Sequence, residues 1–393
     1  MKNALITALA IALAVLAAPA QPKRPLELED LFRIKRVSDP ALSPDGKWIV
    51  FTVETPDTVA NKNRSDLWII SSDGGTPRQL TSDPTSEKHA AWSPDGKTLA
   101  FESNSTGNYQ IWLIDKDGTH ERRFSLTSTE SVQPVWSPDG RSIAYVSEVF
   151  PEFSGKPFPE SDPLNKERLN ELENGKVKAK ILTHLLYRHW DEWVDGKRKH
   201  IYVQPLAGGD PRDITPGDND AVPTSSTFSS GIDFAFSPDG KEIAYTIPPV
   251  PVREQAWSTN HDIYTVSVDG GAPKQMTTNP AADGFPRYSP DGKYIAYRAQ
   301  SVAGFEADRW QLMLYDRSQR SVRSLTETFD ESVHAPVWSP DSKQLYFEAE
   351  EKGTRPVFVV TVKGNDVRKL FDKNSNTDER PSPDGKTLGK YGL

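Results

Sequence analysis

The sequence predicts an all-β protein, a β-propeller of about seven four-stranded blades of which the seventh is incomplete. Three observations in the 393 residues lead to this prediction. A Ser-Pro-Asp-Gly phrase recurs through the chain, a strand-turn-strand phrase follows each of its first six copies, and most copies lie about 50 residues apart. Two hairpins in each repeat make four strands, which is the content of a propeller blade.

The first phrase predicts a hairpin turn in every repeat. Its copies begin at Ser43, Ser93, Ser137, Ser237, Ser289, Ser339 and Ser382, and the sixth copy carries Ser342 where the others carry glycine. Proline presets φ at the first turn position, aspartate bonds the turn with its side chain, and glycine takes a positive φ. Because a catalytic nucleophile would occur once rather than seven times, these serines are expected to be structural.

The second phrase predicts the outer hairpin of each blade. In the first repeat an apolar strand at 67–70 leads through a turn at 73–75 to a short polar strand at 79–81. A large aromatic side chain precedes most copies of the first phrase and is expected to pack between neighbouring sheets: Trp92, Trp136, Phe236, Tyr288 and Trp338.

Residues 1–20 are predicted to be a signal peptide rather than part of the fold. A short positive start precedes an apolar run over 4–17, and Ala18-Pro19-Ala20 fits a cleavage site before Gln21. The apolar run is short for a membrane-spanning helix, although an uncleaved anchor is the alternative. The propeller is therefore expected to occupy 21–393 in an exported protein, periplasmic or secreted, with no membrane span after signal removal.

Composition and motifs exclude several classes of function. The net charge of −8 disfavours a nucleic-acid partner, which usually needs a basic face. The absence of cysteine excludes disulfides, thiolate zinc sites and iron–sulfur clusters. There is no glycine-rich phosphate loop, and no cofactor is predicted. Two sets of side chains were weighed as metal ligands and set aside, so no metal is predicted: His184 with His189 and Asp191, and Asp218 with Asp220.

The one gap of 100 residues, between Ser137 and Ser237, predicts an insertion in the third blade at about residues 150–193. Its charged stretch at 165–173 is expected to form an exposed helix. The insertion is expected to end in a strand over 189–194 that turns at Asp195-Gly196, and strand alternation would then place His189, Asp191 and Trp193 on one face. A segment beginning at Leu26 is expected to help close the ring by donating a strand, and the incomplete seventh blade predicts loose closure.

The repeated Trp-Ser-Pro-Asp-Gly-Lys and Leu-Thr phrases resemble the repeats of TolB-like propellers and of the N-terminal propeller of prolyl oligopeptidase-family serine peptidases. The second resemblance is closer. The sequence at 26–32 resembles the start of that propeller, and the sequence at 187–197 resembles the bacterial dipeptidyl-peptidase and acylaminoacyl-peptidase branch. The family implies an α/β-hydrolase domain with a Gly-x-Ser-x-Gly motif. No such motif occurs in this sequence, so no catalytic residue is predicted, the hydrolase domain is expected to be absent, and no activity is expected of the chain alone.

The resemblance also implies a function and a site. In the family the propeller limits entry to short peptides, and in related dipeptidyl peptidases an insertion supplies carboxylates that hold the free ammonium group of the substrate. By that resemblance Glu192 or Asp191 would meet a peptide N-terminus, with Tyr187 and Arg188 alongside. The alternative is an internal ion pair of Arg188 with Asp191 or Glu192 that only fixes the insertion. The expected partners are short peptides or a peptidase catalytic domain; the rival hypothesis is a TolB-like propeller that docks another periplasmic protein.

Overall fold

A computed structural model describes residues 24–189, 192–224, 228–229, 231–372, 376–386 and 388–392. The predicted signal peptide lies outside these residues. Within them the fold is all-β apart from one α-helix, α1 (Phe158–Asn174), and three 3₁₀ turns at Leu28–Phe32, Pro151–Phe153 and Val252–Trp257. The helix covers the charged stretch for which a helix was predicted.

Twenty-four strands form six antiparallel four-stranded sheets, which are the blades of the propeller. Blade one contains β1 (Arg36–Leu42), β2 (Trp48–Asp57), β3 (Lys62–Ser71) and β4 (Arg78–Gln79); blade two β5 (Glu87–Trp92), β6 (Thr98–Ser103), β7 (Gln110–Asp115) and β8 (Arg122–Arg123); blade three β9 (Ser131–Trp136), β10 (Ser142–Val149), β13 (Arg198–Pro205) and β14 (Arg212–Asp213). Blade four contains β15 (Phe234–Phe236), β16 (Glu242–Ile247), β17 (Asp262–Ser267) and β18 (Lys274–Gln275); blade five β19 (Asp283–Tyr288), β20 (Tyr294–Ala299), β21 (Gln311–Asp316) and β22 (Ser321–Ser324); blade six β23 (His334–Trp338), β24 (Gln344–Glu348), β25 (Val357–Thr361) and β26 (Val367–Phe371).

The predicted all-β propeller is confirmed, but the prediction of about seven four-stranded blades is wrong, because the described residues form six. The seventh Ser-Pro-Asp-Gly copy joins only two strands, β27 (Asn376–Pro381) and β28 (Leu388–Gly392), which pair with each other. The second phrase does not follow this copy, so its hairpin has no outer pair of strands in the described chain. β27 contacts β23 and β24 of blade six and β1 of blade one, and the hairpin therefore lies between the last and first blades.

Every Ser-Pro-Asp-Gly copy forms the predicted hairpin turn. In the third turn the Ser137 hydroxyl donates to the Asp139 carboxylate at 2.7 Å and accepts from the amide of Ser142 at 2.9 Å. The same serine-to-aspartate bond, at 2.6 to 2.7 Å, occurs in all seven copies. The glycines have positive φ, and Ser342 takes their place with a φ of 60°. The structural role predicted for the serines is confirmed.

The aromatic residues before these turns join neighbouring blades, as predicted. The indole nitrogens of Trp92, Trp136 and Trp338 donate to the backbone oxygens of Ala41, Ala91 and Arg287, each in the first strand of the preceding blade. The hydroxyl of Tyr288 donates instead to the Glu242 carboxylate of blade four at 3.0 Å. Apolar side chains fill the remaining space between sheets, for example Val146 and Ile201 of blade three against Phe234 of blade four.

The first strand of each blade lies nearest the axis, since these strands contact one another from blade to blade. Five of the six contain a β-bulge whose leading residue has a positive φ although it is not glycine. These residues are Asp39, His89, Gln133, Phe285 and Ala335, with φ between 39° and 58°. All but His89 precede a proline.

The segment at 24–35 does not supply a strand to the ring, which corrects the expectation of strand donation from Leu26. Residues Leu28–Phe32 form a 3₁₀ turn that Arg24 braces through an ion pair with Asp30 at 2.6 Å. Its apolar side chains are exposed, Leu28 to 68% and Phe32 to 54%. A short helical turn of this kind offers no extended backbone for sheet pairing.

Candidate functional site

The insertion lies on the face of the propeller opposite the Ser-Pro-Asp-Gly turns. In every blade these turns join the first two strands, whereas the insertion joins β10 to β13, the second and third strands of blade three. We call this side of the molecule the insertion face. The connections between second and third strands in blades two, four and five lie on it as well.

Helix α1 is fixed to the propeller by two polar side chains. The Asp162 carboxylate accepts bonds from the amide and hydroxyl of Ser128, both at 2.7 Å, in the connection between blades two and three. The side-chain oxygen of Asn165 accepts from the amide of Phe150 at 2.8 Å, and Asn165 is 3% exposed. These bonds hold the helix to the connection between blades two and three and to the first residue after β10.

The insertion ends in a short hairpin rather than in the single strand predicted over 189–194. Strands β11 (Arg188–His189) and β12 (Glu192–Trp193) pair antiparallel, so the predicted alternation of His189, Asp191 and Trp193 along one strand is wrong. The predicted turn at Asp195-Gly196 is present: both residues have positive φ, and the amide of Lys197 donates to the Val194 oxygen.

The structure places three of the four predicted site residues in this hairpin. Tyr187 stacks on Trp193 with ring centroids 6.0 Å apart, and exposed Arg188 pairs through its backbone with Trp193. Glu192 belongs to β12, while Asp191 lies outside the described residues. The Lys180 ammonium lies 4.9 Å from the Trp193 ring and forms an ion pair with Asp195. The hairpin is thus a packed unit with an aromatic centre.

A cavity of about 530 Å³ separates the hairpin from blades three and four. Trp193 and Asp195 line it from the hairpin, and Glu130, Glu148 and Asp220 line it from the propeller. These three propeller carboxylates were not predicted as site residues. Glu130 directly precedes β9, Glu148 lies near the end of β10, and Asp220 lies in the connection between β14 and β15, so no local spacing in the sequence predicts them as one group.

Four carboxylates and three cations line this cavity, so one negative charge remains without a matching cation; the cations are Lys197, Arg198 and Lys199. The Lys197 ammonium donates to the Glu148 carboxylate at 2.6 Å. Burial alone would raise the pKa of Glu148, but the nearby ammonium outweighs burial, and the pKa of Glu148 is lowered. Desolvation and the Glu148 charge raise the pKa of Glu130. Burial raises the pKa of Asp220, which accepts a bond from the Lys199 amide at 2.8 Å. In the described part of the chain neither Glu130 nor Asp220 has a lysine or arginine side chain within 4 Å.

The metal candidates considered in the sequence do not form a cluster in the described ranges. The Asp220 carboxylate accepts a hydrogen bond from the Lys199 amide, and the backbone oxygen of Asp218 accepts one from the Arg198 side chain at 2.9 Å. Over those ranges no group of three or more histidines and carboxylates is placed to hold a metal ion. In the same ranges no helix has both the length and the apolar character needed to cross a membrane.

Comparison with known proteins agrees with this architecture. Residues 33–154 match the TolB β-propeller domain family, PD40. Dipeptidyl-peptidase 5 of Porphyromonas gingivalis is 34% identical over 343 residues, which are 86% of this chain and 48% of that protein. Over most of its length this chain is therefore similar to one part of dipeptidyl-peptidase 5. It spans about half the length of the curated dipeptidyl-peptidase 5 proteins that match most of it.

Two solved structures share the propeller fold of this chain. Acylaminoacyl peptidase from Pyrococcus horikoshii superimposes with a TM-score of 0.63 at 14% identity, over 89% of this chain and 48% of that one. The β-propeller domain of the Trilobed protease from Pyrococcus furiosus, described as having an open velcro topology, gives 0.57 at 13% identity over 88% and 86%. The resemblance to TolB-like propellers and to dipeptidyl peptidases, predicted from the sequence, is confirmed.

Proposed function

We propose that this propeller binds the amino-terminal end of short peptides in the cavity beside the insertion hairpin, and so selects the peptides that reach the catalytic domain of an exported serine exopeptidase. The observation that carries the proposal is the pair of carboxylates, Glu130 and Asp220, that face a peptide-sized cavity without a lysine or arginine partner among the described side chains. A carboxylate in partly desolvated surroundings is stabilised by a cation, and a peptide ammonium group is such a cation.

The insertion hairpin adds the residues that the family resemblance suggested. Glu192 precedes Trp193 in β12, and Tyr187 and Arg188 lie on the opposite side of the hairpin. Asp191 lies outside the described residues and joins the proposal on the family resemblance alone. The name of the matched relatives, dipeptidyl-peptidase 5, supports a peptide with a free amino terminus. The sequence contains no Gly-x-Ser-x-Gly motif, so peptide hydrolysis would be the task of a hydrolase domain.

Binding of a matched pair of peptides tests the proposal. The dipeptide Leu-Gly and its N-acetyl form differ in the ammonium group, and saturation-transfer NMR with the whole chain reports their dissociation constants. We expect acetylation to weaken binding at least tenfold. Glu192→Gln and Asp191→Asn should weaken the binding of Leu-Gly more than does the control Glu254→Gln, which changes an exposed carboxylate of the same face. Equal affinity for both peptides would reject the proposal, and unchanged affinity in both hairpin variants would leave those residues only the internal ion-pair role.

Docking of another periplasmic protein, as in a TolB-like propeller, is the second candidate function. The exposed apolar side chains on the insertion face favour it: Ile181 is 90% exposed, Trp257 75% and Phe305 52%. The DNA that follows codon 393 separates the two candidates. A downstream reading frame that encodes Gly-x-Ser-x-Gly favours the peptidase propeller, whereas a gap between genes favours the docking module.

A further inference from the structure

A second cavity of about 420 Å³ continues from the first one towards blades four and five. Buried Val222, Phe228 and Pro248 form its floor. Leu186, which directly precedes the hairpin, and Trp257 stand at its walls with exposures of 43% and 75%. We call this cavity the Trp257 pocket. Large apolar side chains exposed beside an apolar floor are stabilised when another apolar group covers them.

The charged side chains that line the Trp257 pocket are Asp220 and Glu306. Among the described residues no lysine or arginine lines it. His261, whose ring lies 4.7 Å from that of Phe228, adds no positive charge, because burial lowers its pKa to about 4. Asp220 lines both cavities and marks the point where they join.

We propose that the Trp257 pocket receives the side chain of the N-terminal residue of a bound peptide and selects a bulky apolar one, such as leucine or phenylalanine. This inference rests on the proposed function, because it assigns the specificity of the same peptide site. The ammonium group lies at Asp220, the first side chain packs between Leu186 and Trp257, and the rest of the peptide continues into the cavity beside the hairpin.

The arrangement also predicts which side chains are rejected. An N-terminal aspartate or glutamate would place a second carboxylate beside Asp220 and Glu306, which costs free energy in a partly desolvated site. Glycine would leave the apolar floor and the Trp257 indole in contact with water. Removing a leucine-sized side chain from water favours binding by roughly tenfold to a hundredfold.

A dipeptide series measured with the whole chain tests the inference. The dissociation constants of Leu-Gly, Gly-Gly and Asp-Gly are determined by saturation-transfer NMR for the parent chain and for Trp257→Ala and Leu186→Ala. Both substitutions are at exposed positions, so the fold should be retained. Val322→Ala is the control, since Val322 is 46% exposed in β22 and lies outside the pocket.

We expect Leu-Gly to bind at least tenfold more tightly than Gly-Gly in the parent and the control, and this preference to shrink to less than threefold in Trp257→Ala. The strongest saturation of the ligand should fall on the leucine methyl groups. Equal affinity of Leu-Gly and Gly-Gly, or a preference unchanged by both pocket substitutions, overturns the inference while peptide binding itself stands. Absence of binding by every free-amine dipeptide overturns the proposed function together with the inference.

Discussion

Gly46 in the first Ser-Pro-Asp-Gly turn lies against Pro383 in the last one. A β-carbon at Gly46 would stand 3.3 Å from Cδ of that proline. The same relationship links Gly96 to Pro44 and Gly385 to Pro340, so a glycine of one turn meets a proline of the turn before it. The two-stranded hairpin therefore takes the position of a blade in this series and joins blade six to blade one.

Substitution at Gly46 tests this closure. Gly46→Ala places a β-carbon in a left-handed conformation, which costs about 1–2 kcal/mol, and also presses it on Pro383. The control is Gly74→Ala, which has a φ of +91° and open space around the new carbon. We expect the urea midpoint to fall further for Gly46→Ala than for Gly74→Ala. A loss no larger than that of the control would show that the hairpin does not contact the first blade.

The serine of each repeated turn should matter for stability and not for chemistry. Ser137→Ala removes the bond to Asp139 and leaves the Ser142 amide without its acceptor. The expected loss is roughly 1–2 kcal/mol in the free energy of unfolding. Ser72→Ala, at an exposed serine, should change stability by less than about 0.5 kcal/mol. Denaturant unfolding measures both, and an equal effect of the two would contradict the structural role.

Two buried carboxyl groups should make the stability depend on pH. Burial raises the pKa of Glu87 and of Asp283 to about 7, whereas both are close to 4 in an unfolded chain. The folded chain keeps these protons to higher pH, so their contribution is complete below about pH 4 and is lost as the pH rises through about 7. The parent should therefore lose stability relative to Glu87→Gln between about pH 4.5 and 7, by roughly 3 kcal/mol at most, and the difference should be constant above that range. Urea unfolding across this range measures the difference in stability between the parent and the variant. A difference that does not change with pH would refute the raised pKa of Glu87. Glu167→Gln, at an exposed position, is the control.

The contact between Asp162 and Ser128 should hold the insertion in place. Asp162→Ala removes two short bonds to a carboxylate, and local opening should become easier by roughly 2–3 kcal/mol. Limited proteolysis within the insertion should then accelerate, while the blades stay intact. Glu167→Ala, an exposed change on the same helix, should cleave at the parental rate. Cleavage unchanged by Asp162→Ala would show that other contacts fix the insertion.

The proposed signal peptide predicts a defined first residue for the mature chain. When the gene is expressed in a secreting host, N-terminal sequencing of the exported product should begin at Gln21. Changing Ala18 and Ala20 to larger residues should block processing, since the cleavage site needs small side chains. A product that keeps Met1 in the soluble fraction would exclude the signal peptide.

The repeated elements could be predicted from the sequence because their causes are local. A turn such as the one at Ser137 is specified by four adjacent residues, and the aromatic side chain of Trp136 before it indicates the contact to the preceding sheet. The hairpin at the end of the insertion was mistaken for one strand because a short alternating segment does not reveal where it reverses. Glu130 and Asp220 could not be assigned to a common site, since they are 90 residues apart in the sequence and come together only when the strands of blade three pair and Asp220 bonds the Lys199 amide.

At the bulges beside the axis, a substitution to glycine is expected to stabilise the fold rather than destabilise it. In the Ser-Pro-Asp-Gly turns, replacing glycine by alanine is expected to destabilise the fold. Ala335 already holds a positive φ of 39° without being glycine, and a proline follows it. Such a residue stores backbone strain that the surrounding ring must counteract. Ala335→Gly would release that strain, so the centre of this propeller is where a more flexible residue can stabilise the folded state, and five of the six blades hold a non-glycine residue with a positive φ there.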